Sequence, residues 1–141
     1  MKYLIDTCVV IDVLQKREPF FDLSYQVLSR LSKNNADIFL TAKTLMDIHY
    51  LMRKFFHSEA EAHVQIAKLL EIFQIESTTE SDCAEALHSE MSDFEDAVLA
   101  FAAHRIAADA IVTRNVKDYA HSPVPALTPE EVWGRLYTVF R

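Results

Sequence analysis

Asp6 closes the apolar run Lys2-Tyr3-Leu4-Ile5 and opens onto Thr7-Cys8. A carboxylate at the carboxyl end of a buried strand is an expensive place for a charge, which persists there when paired, hydrogen-bonded or bound to metal. In open α/β sheets that strand edge is also where ligands sit. Further acids stand at places able to converge on the same spot. Asp47 lies inside a helical pattern between Met46 and Ile48; Asp93, Glu95 and Asp96 open another; Asp118 belongs to the polar stretch Thr113-Arg114-Asn115-Val116-Lys117-Asp118-Tyr119 that follows the apolar run Ala110 to Val112. An oxygen-rich cluster without Cys or His suits Mg²⁺ or Mn²⁺ rather than zinc. The chemistry such a set would perform is cation-assisted work on phosphates.

Each acid also has a plain structural use. Asp6 can cap the following helix. Asp47 can pair with Lys43 one turn earlier. Asp93, Glu95 and Asp96 meet the positive end of a helix dipole. Asp96, however, begins the apolar stripe Ala97, Ala100, Phe101, His104, so it faces nearer the core than a solvated dipole partner does, and Asp93 sits one turn earlier to support it. Thr113, Asn115 and Asp118 repeat the strand-end logic of Asp6 or form an ordinary polar turn, with Arg114 and Lys117 adding cations beside them. The six histidines form neither an HExxH nor a paired-ligand spacing. His49 and His104 fall on apolar stripes, and the others read as surface. No GxSxG elbow supports a serine hydrolase.

These side chains must be positioned by a small soluble fold. At 141 residues the chain fits one domain, residues 1–141, and hydrophobic residues at 50% with charged residues at 25% are ordinary for a globular protein. The single glycine, Gly134, excludes Gly-rich phosphate cradles, so any phosphate is handled by metal and side chains. The formal charge of −7, from 21 acidic and 14 basic residues, argues against a nonspecific DNA coat. It leaves room for a nuclease whose carboxylates are offset by bound cations. Cys8 and Cys83 are too far apart in sequence for a zinc or redox pair, which fits a reducing cytosol. No apolar run approaches the ~18 residues of a membrane span and no signal-peptide pattern is present, so the expected location is the cytoplasm.

The pattern predicts a strand over 2–6, a helix over 8–16, a break at Glu18-Pro19 and a helix to about 33. A strand at 38–40 leads to Thr41 as helix cap, with helices over 42–57 and, capped by Ser58, to about 73. A weak strand at 73–75 and, after Thr78-Thr79, a helix ending near Met91 follow. Ser92 and Glu95 form a capping-box pattern for a helix to about 108. Then come the strand 110–113, an edge strand within 124–127 because of Pro123 and Pro125, and a last helix begun by Thr128-Pro129-Glu130-Glu131. Strands alternating with helices without tight hairpins give an α/β fold, a parallel sheet of four or five strands covered on both faces. The strand order is not readable at this level.

Taken in order, Asp6-Thr7 after an apolar strand, the acid within Thr44-Leu45-Met46-Asp47-Ile48, Asp93-Phe94-Glu95-Asp96-Ala97 and the stretch Thr113 to Tyr119 resemble the PIN-domain ribonucleases, most closely the VapC-like toxin branch. The resemblance spans nearly the whole chain. It implies a three-layer α/β/α sandwich with an acidic pocket at the strand carboxyl ends, Mg²⁺ or Mn²⁺ as cofactor, RNA as substrate, a cognate antitoxin as partner and a homodimer. Carried over, Asp6 and Asp96 match the metal ligands and Asp47 the third catalytic acid. Thr7, Asp93, Thr113, Asn115 and Asp118 are supporting residues, and Arg114 and Lys117 steer RNA. Three positions depart from the family pattern: Asp47 replaces the usual Glu, Cys8 the usual Asn, and Asn115 the fourth acid of some members. A noncatalytic binding module for RNA or protein, with a weakened metal site, is the alternative those departures leave.

Overall fold

The computed structural model describes the backbone of residues 1–140 and the side chains of residues 1–137; Arg141, the end of the expected domain, lies outside the described residues. Its centre is a five-stranded parallel sheet of β1 (Lys2–Ile5), β2 (Asp37–Thr41), β3 (Gln74–Glu76), β4 (Ala110–Val112) and β5 (Ala126–Leu127), in the order β3-β2-β1-β4-β5. Alternation along the strands feeds two cores. Tyr3, Ile5, Ile38, Leu40 and Val112 point into one, while Leu4, Phe39 and Ile111 point into the other. Burying one such aliphatic side chain contributes about 1.5–3 kcal/mol, so a strand buried on both faces has little tolerance for polar substitution.

The first core is closed by α1 (Thr7–Leu14), α2 (Phe21–Lys33), α3 (Ala42–Phe56), α4 (Glu59–Ile72) and α7 (Pro129–Phe140), through Val9, Val27, Ile48, Leu69 and Val132. The second is closed by Leu99, Ala100 and Ala103 of α6 (Phe94–Arg105), and α5 (Glu80–Leu87) leans on α6 through Ala86 against Ala97 and Val98. The architecture is therefore a parallel sheet covered on both faces, as the pattern predicts, and the α/β/α sandwich that the resemblance implies.

The chain adds β2 and then β3 outward on one side of β1, and returns through α5 and α6 to lay β4 on the other side. The order thus reverses between β1 and β4. A parallel sheet opens a crevice at the carboxyl ends of the strands at such a reversal. Asp6 follows β1 and Thr113 follows β4.

Two boundaries differ from the sequence expectation. Helix α5 ends at Leu87, not near Met91, because the Ser89 hydroxyl and N–H both donate to the Ala86 carbonyl and turn the chain. The cap of α6 is Asp93 rather than Ser92: Asp93 is extended, and its carboxylate accepts from the Asp96 N–H at 2.9 Å. His104 is exposed on α6, off the stripe assigned to it. With Gly134 its single glycine, the chain ends four helices on left-handed Lys16, Asn35, His57 and Ala107. At Ala107 the bonds Ala107 N–H to His104 O and Ala108 N–H to Ala103 O close a Schellman turn.

Candidate metal centre at the sheet reversal

Asp6 extends the ladder past β1, its N–H donating to the Val112 carbonyl at 2.9 Å. The pairing of Ile5 with Val112 then sets Asp6 beside Thr113. Its two oxygens do different work. Oδ1 accepts from the Thr7 N–H at 2.8 Å and so starts α1, while Oδ2 accepts from Thr113 Oγ1 at 2.8 Å and from the Tyr119 hydroxyl at 3.2 Å. Cys8 Sγ lies 3.9 Å from the same Oδ2 and 3.7 Å from Thr113 Oγ1. Burial pushes the Asp6 carboxyl above the usual range against the pull of these donors. Burial, and then the Asp6 charge, push the Cys8 thiol up as well.

Asp96, in the first turn of α6, reaches the same point from the opposite layer. The Tyr119 hydroxyl is 3.4 Å from its Oδ1. Tyr119 ends a short 3₁₀ turn, Val116–Tyr119, and is buried under α6. A phenol has one proton, so it satisfies one carboxylate at a time. The Asp96 carboxyl is pushed up to about 6, first by burial and then by the charges of Asp6, Asp93 and Asp118. The Tyr119 phenol is pushed far above its ordinary value by burial and by Asp6 and Asp96. Acids from two layers are thus crowded against each other with a single hydroxyl between the innermost pair. Oxygen-only donors and unrelieved repulsion fit a hard divalent cation.

The pair opens into a cleft of about 920 Å³ lined also by Thr7, Asn115, Asp47 and Glu95. Asp47 stands on the α3 wall, where its carboxylate is taken by Lys43 Nζ; that ammonium is also 3.7 Å from Glu95 Oε1 across the cleft. The Asp47 hydrogen bond is the main reason the Lys43 pKa is raised. Of the supporting residues, Thr113 bonds Asp6 directly, Asp93 holds the α6 turn, and Asn115 donates its N–H to Thr113 Oγ1 at 3.0 Å. Asp118 is exposed and acts on Asp96 through its charge.

The two cations read as steering residues do not line the cleft. Lys117 is exposed on the 3₁₀ turn. Arg114 is held in a bidentate pair by Asp12 of α1, with Nη2 3.2 Å from Oδ1, and its guanidinium lies 4.0 Å over the Phe20 ring. The cations that do line the cleft are Lys43 and Arg17. Sequence reasoning missed these two, as well as Asp12 and Tyr119. A signal for Asp12 exists, since an acid inside Val9-Val10-Ile11-Asp12-Val13-Leu14 is as anomalous as Asp6. For Tyr119 the only hint is its position at the end of a polar strand-end stretch.

Residues 2–117 match the family model described as PIN domain. The fold is similar to a chain of VapBC2 from Rickettsia felis bound to a DNA fragment from its promoter, with TM-score 0.73 and 19% identity over 91% of this chain and 98% of that one. It is also similar to a chain of a toxin-antitoxin complex from Klebsiella pneumoniae (TM-score 0.65, 25% identity, 90% and 97% covered). VapC20 from Mycobacterium tuberculosis, a Sarcin-Ricin loop cleaving toxin, superposes at TM-score 0.59 with 16% identity over 77% of this chain and 86% of that one. No curated protein matches the sequence.

Proposed function

The chain belongs to the PIN-domain family, and on that premise we propose that it is a metal-dependent endoribonuclease, the toxin of a toxin–antitoxin pair. The observation that carries this reading is the Tyr119 hydroxyl, within hydrogen-bond reach of both Asp6 and Asp96 at the sheet reversal. Asp6 and Asp96 would hold the cation, Mg²⁺ or Mn²⁺ by the chemistry of their oxygens. Such an ion supplies Lewis acidity toward a phosphate oxygen and acidifies water. Thr7 and Thr113 fix the Asp6 carboxylate through its two oxygens. Asp93 holds the turn from which Asp96 projects. Asp47 orients water from the α3 wall, which requires Lys43 to release it. Lys43 and Arg17 then meet the RNA backbone, a role that suits cations on the rim of an acidic cleft.

The neighbours in toxin–antitoxin complexes support an antitoxin as partner, and the cleavage attributed to VapC20 supports RNA as substrate. A homodimer, a cytoplasmic location and a single domain over 1–141 complete the reading. Among the described residues no helix is long and apolar enough to cross a membrane. The test is RNA cleavage with Mg²⁺ or Mn²⁺ by the parent, Asp6→Asn and Asp96→Asn. Loss of cleavage in both variants, with folding intact, is expected; parental rates in both overturn the assignment. A second reading, a noncatalytic RNA- or protein-binding module, is favoured by the Lys43 ammonium already seated on Asp47. Calorimetric titration with Mn²⁺ separates the two, because such a module takes up no ion at Asp6 and Asp96.

A further inference from the structure

Away from the acidic cleft, the hairpin of α3 and α4 gathers a second set of donors. Glu59 Oε1 is 2.8 Å from His49 Nε2 and 2.9 Å from His63 Nε2, and the two imidazole rings stand 5.8 Å apart. Glu59 and His63 are one turn apart on α4, while His49 comes from α3, so the cluster ties two helices together. The histidines seemed unrelated in sequence because they stand fourteen positions apart and the bend at His57-Ser58 alone brings them together.

We propose that His49, Glu59 and His63 form a separate site for a transition-metal ion of the Zn²⁺ class, clamping α3 to α4. The three donor atoms already lie within 4.8 Å of one another, from residues that are half-buried or exposed. Tetrahedral Zn²⁺ bonds His nitrogen and carboxylate oxygen at about 2.0–2.2 Å, which spaces donors about 3.3 Å apart. The two Glu59–His separations have to open by roughly half an ångström and the two imidazole nitrogens, within 4.8 Å of each other, have to settle at the same spacing, adjustments that partly exposed side chains can make. Two imidazoles and one carboxylate select a borderline ion over Mg²⁺, whereas the oxygen-only set at Asp6 and Asp96 selects the reverse. Folding has gathered the three groups, and a fourth position stays open to water. Because α3 also carries Lys43 and Asp47, the clamp steadies the cleft wall; the site itself does not depend on the nuclease reading.

The experiment is titration of metal-stripped full-length protein with Co²⁺, then Zn²⁺, in excess Mg²⁺, followed by visible absorption and by thermal unfolding. The expected result is one equivalent bound, tetrahedral Co²⁺ bands displaced by Zn²⁺, and a rise in the unfolding midpoint. His63→Ala removes an exposed side chain and leaves the fold intact; it is expected to weaken binding by at least roughly tenfold and abolish the rise. His49→Ala does the same, and Asp6→Asn changes neither. The proposal is overturned if His63→Ala binds Zn²⁺ like the parent, if the parent takes up none, or if Asp6→Asn instead abolishes uptake. Failure of RNA cleavage in any of these proteins leaves the metal readout untouched, so the two readings fail separately.

Discussion

Replacing Arg114 with Ala tests whether this cation serves the fold or the substrate. Its partner Asp12 is 0% exposed, whereas the Arg114 side chain keeps 25% of its surface in water. The two ways of breaking the pair are therefore unequal. Arg114→Ala strands a fully buried carboxylate, which costs about 3–5 kcal/mol, and removes the stacking on Phe20, about 0.5–1 kcal/mol more. Asp12→Ala leaves a guanidinium that water reaches, for which about 1–3 kcal/mol is expected. Arg114→Lys falls between, since an ammonium cannot make the bidentate contact. Against a total stability of about 5–15 kcal/mol the first change brings the protein close to unfolding. Urea denaturation with an unchanged m-value gives the three numbers in one series. If Arg114→Ala unfolds at the parental midpoint but loses RNA affinity, with a salt slope smaller by about 1, the buried-pair argument is refuted and Arg114 is a steering residue after all.

Three further changes follow from the site and the caps. Asp96 has a folded value of about 6 against 3.8 unfolded, so the folded state binds this proton more tightly and the group's ionisation costs stability as pH rises from about 4 to about 6. Thermal scans in chelator should show Asp96→Asn stabilising the protein by an amount that grows across that window and levels off above it; a pH-independent difference contradicts the assigned repulsion. Tyr119→Phe removes the hydroxyl shared by Asp6 and Asp96, so both carboxyl pKa values should rise in an NMR titration of the metal-free protein, and unchanged values would mean the phenol does not hold them. Ala107→Gly relieves a left-handed residue (φ 57°), and after the entropy of glycine is subtracted should stabilise by about 0.5–1 kcal/mol; a lower urea midpoint rules that out.

The layers of this fold are legible because strands buried on both faces read as unbroken apolar runs. Tyr3-Leu4-Ile5 and Ala110-Ile111-Val112 announce themselves, and the prolines at 123 and 125 place β5 at an edge, where it is found. Strand order is a different matter. Parallel partners are joined by long crossovers, so nothing in Lys2–Ile5 names Ala110–Val112 as its neighbour. That order decides the site, because the reversal between β1 and β4 is what seats Thr113 and Tyr119 against Asp6. Helix ends were read less well for a local reason. Ser92 and Asp93 are both good caps, and a one-residue choice between them is settled by which carboxyl or hydroxyl reaches the Asp96 N–H.

The acids illustrate why structural and chemical readings of one residue need not compete. Asp6 caps α1 with Oδ1 and meets Thr113 and Tyr119 with Oδ2; either use alone would explain an aspartate at this position, and the carboxylate has room for both. Asp47 differs, because its oxygen is taken by a lysine one turn away, the arrangement its spacing allowed. Arg114 is a steering candidate that the fold ties down, and the sequence hides why. Its partner is 102 positions away in the chain, so its neighbours in sequence make it look like a free cation. Yet the rule that singled out Asp6, that a charge inside an apolar run must be compensated, applies equally to Asp12 between Ile11 and Val13. In the fold the cation that this buried acid requires is Arg114, set at the end of the strand beside α1, where the pair anchors the loop that carries Thr113 and Asn115.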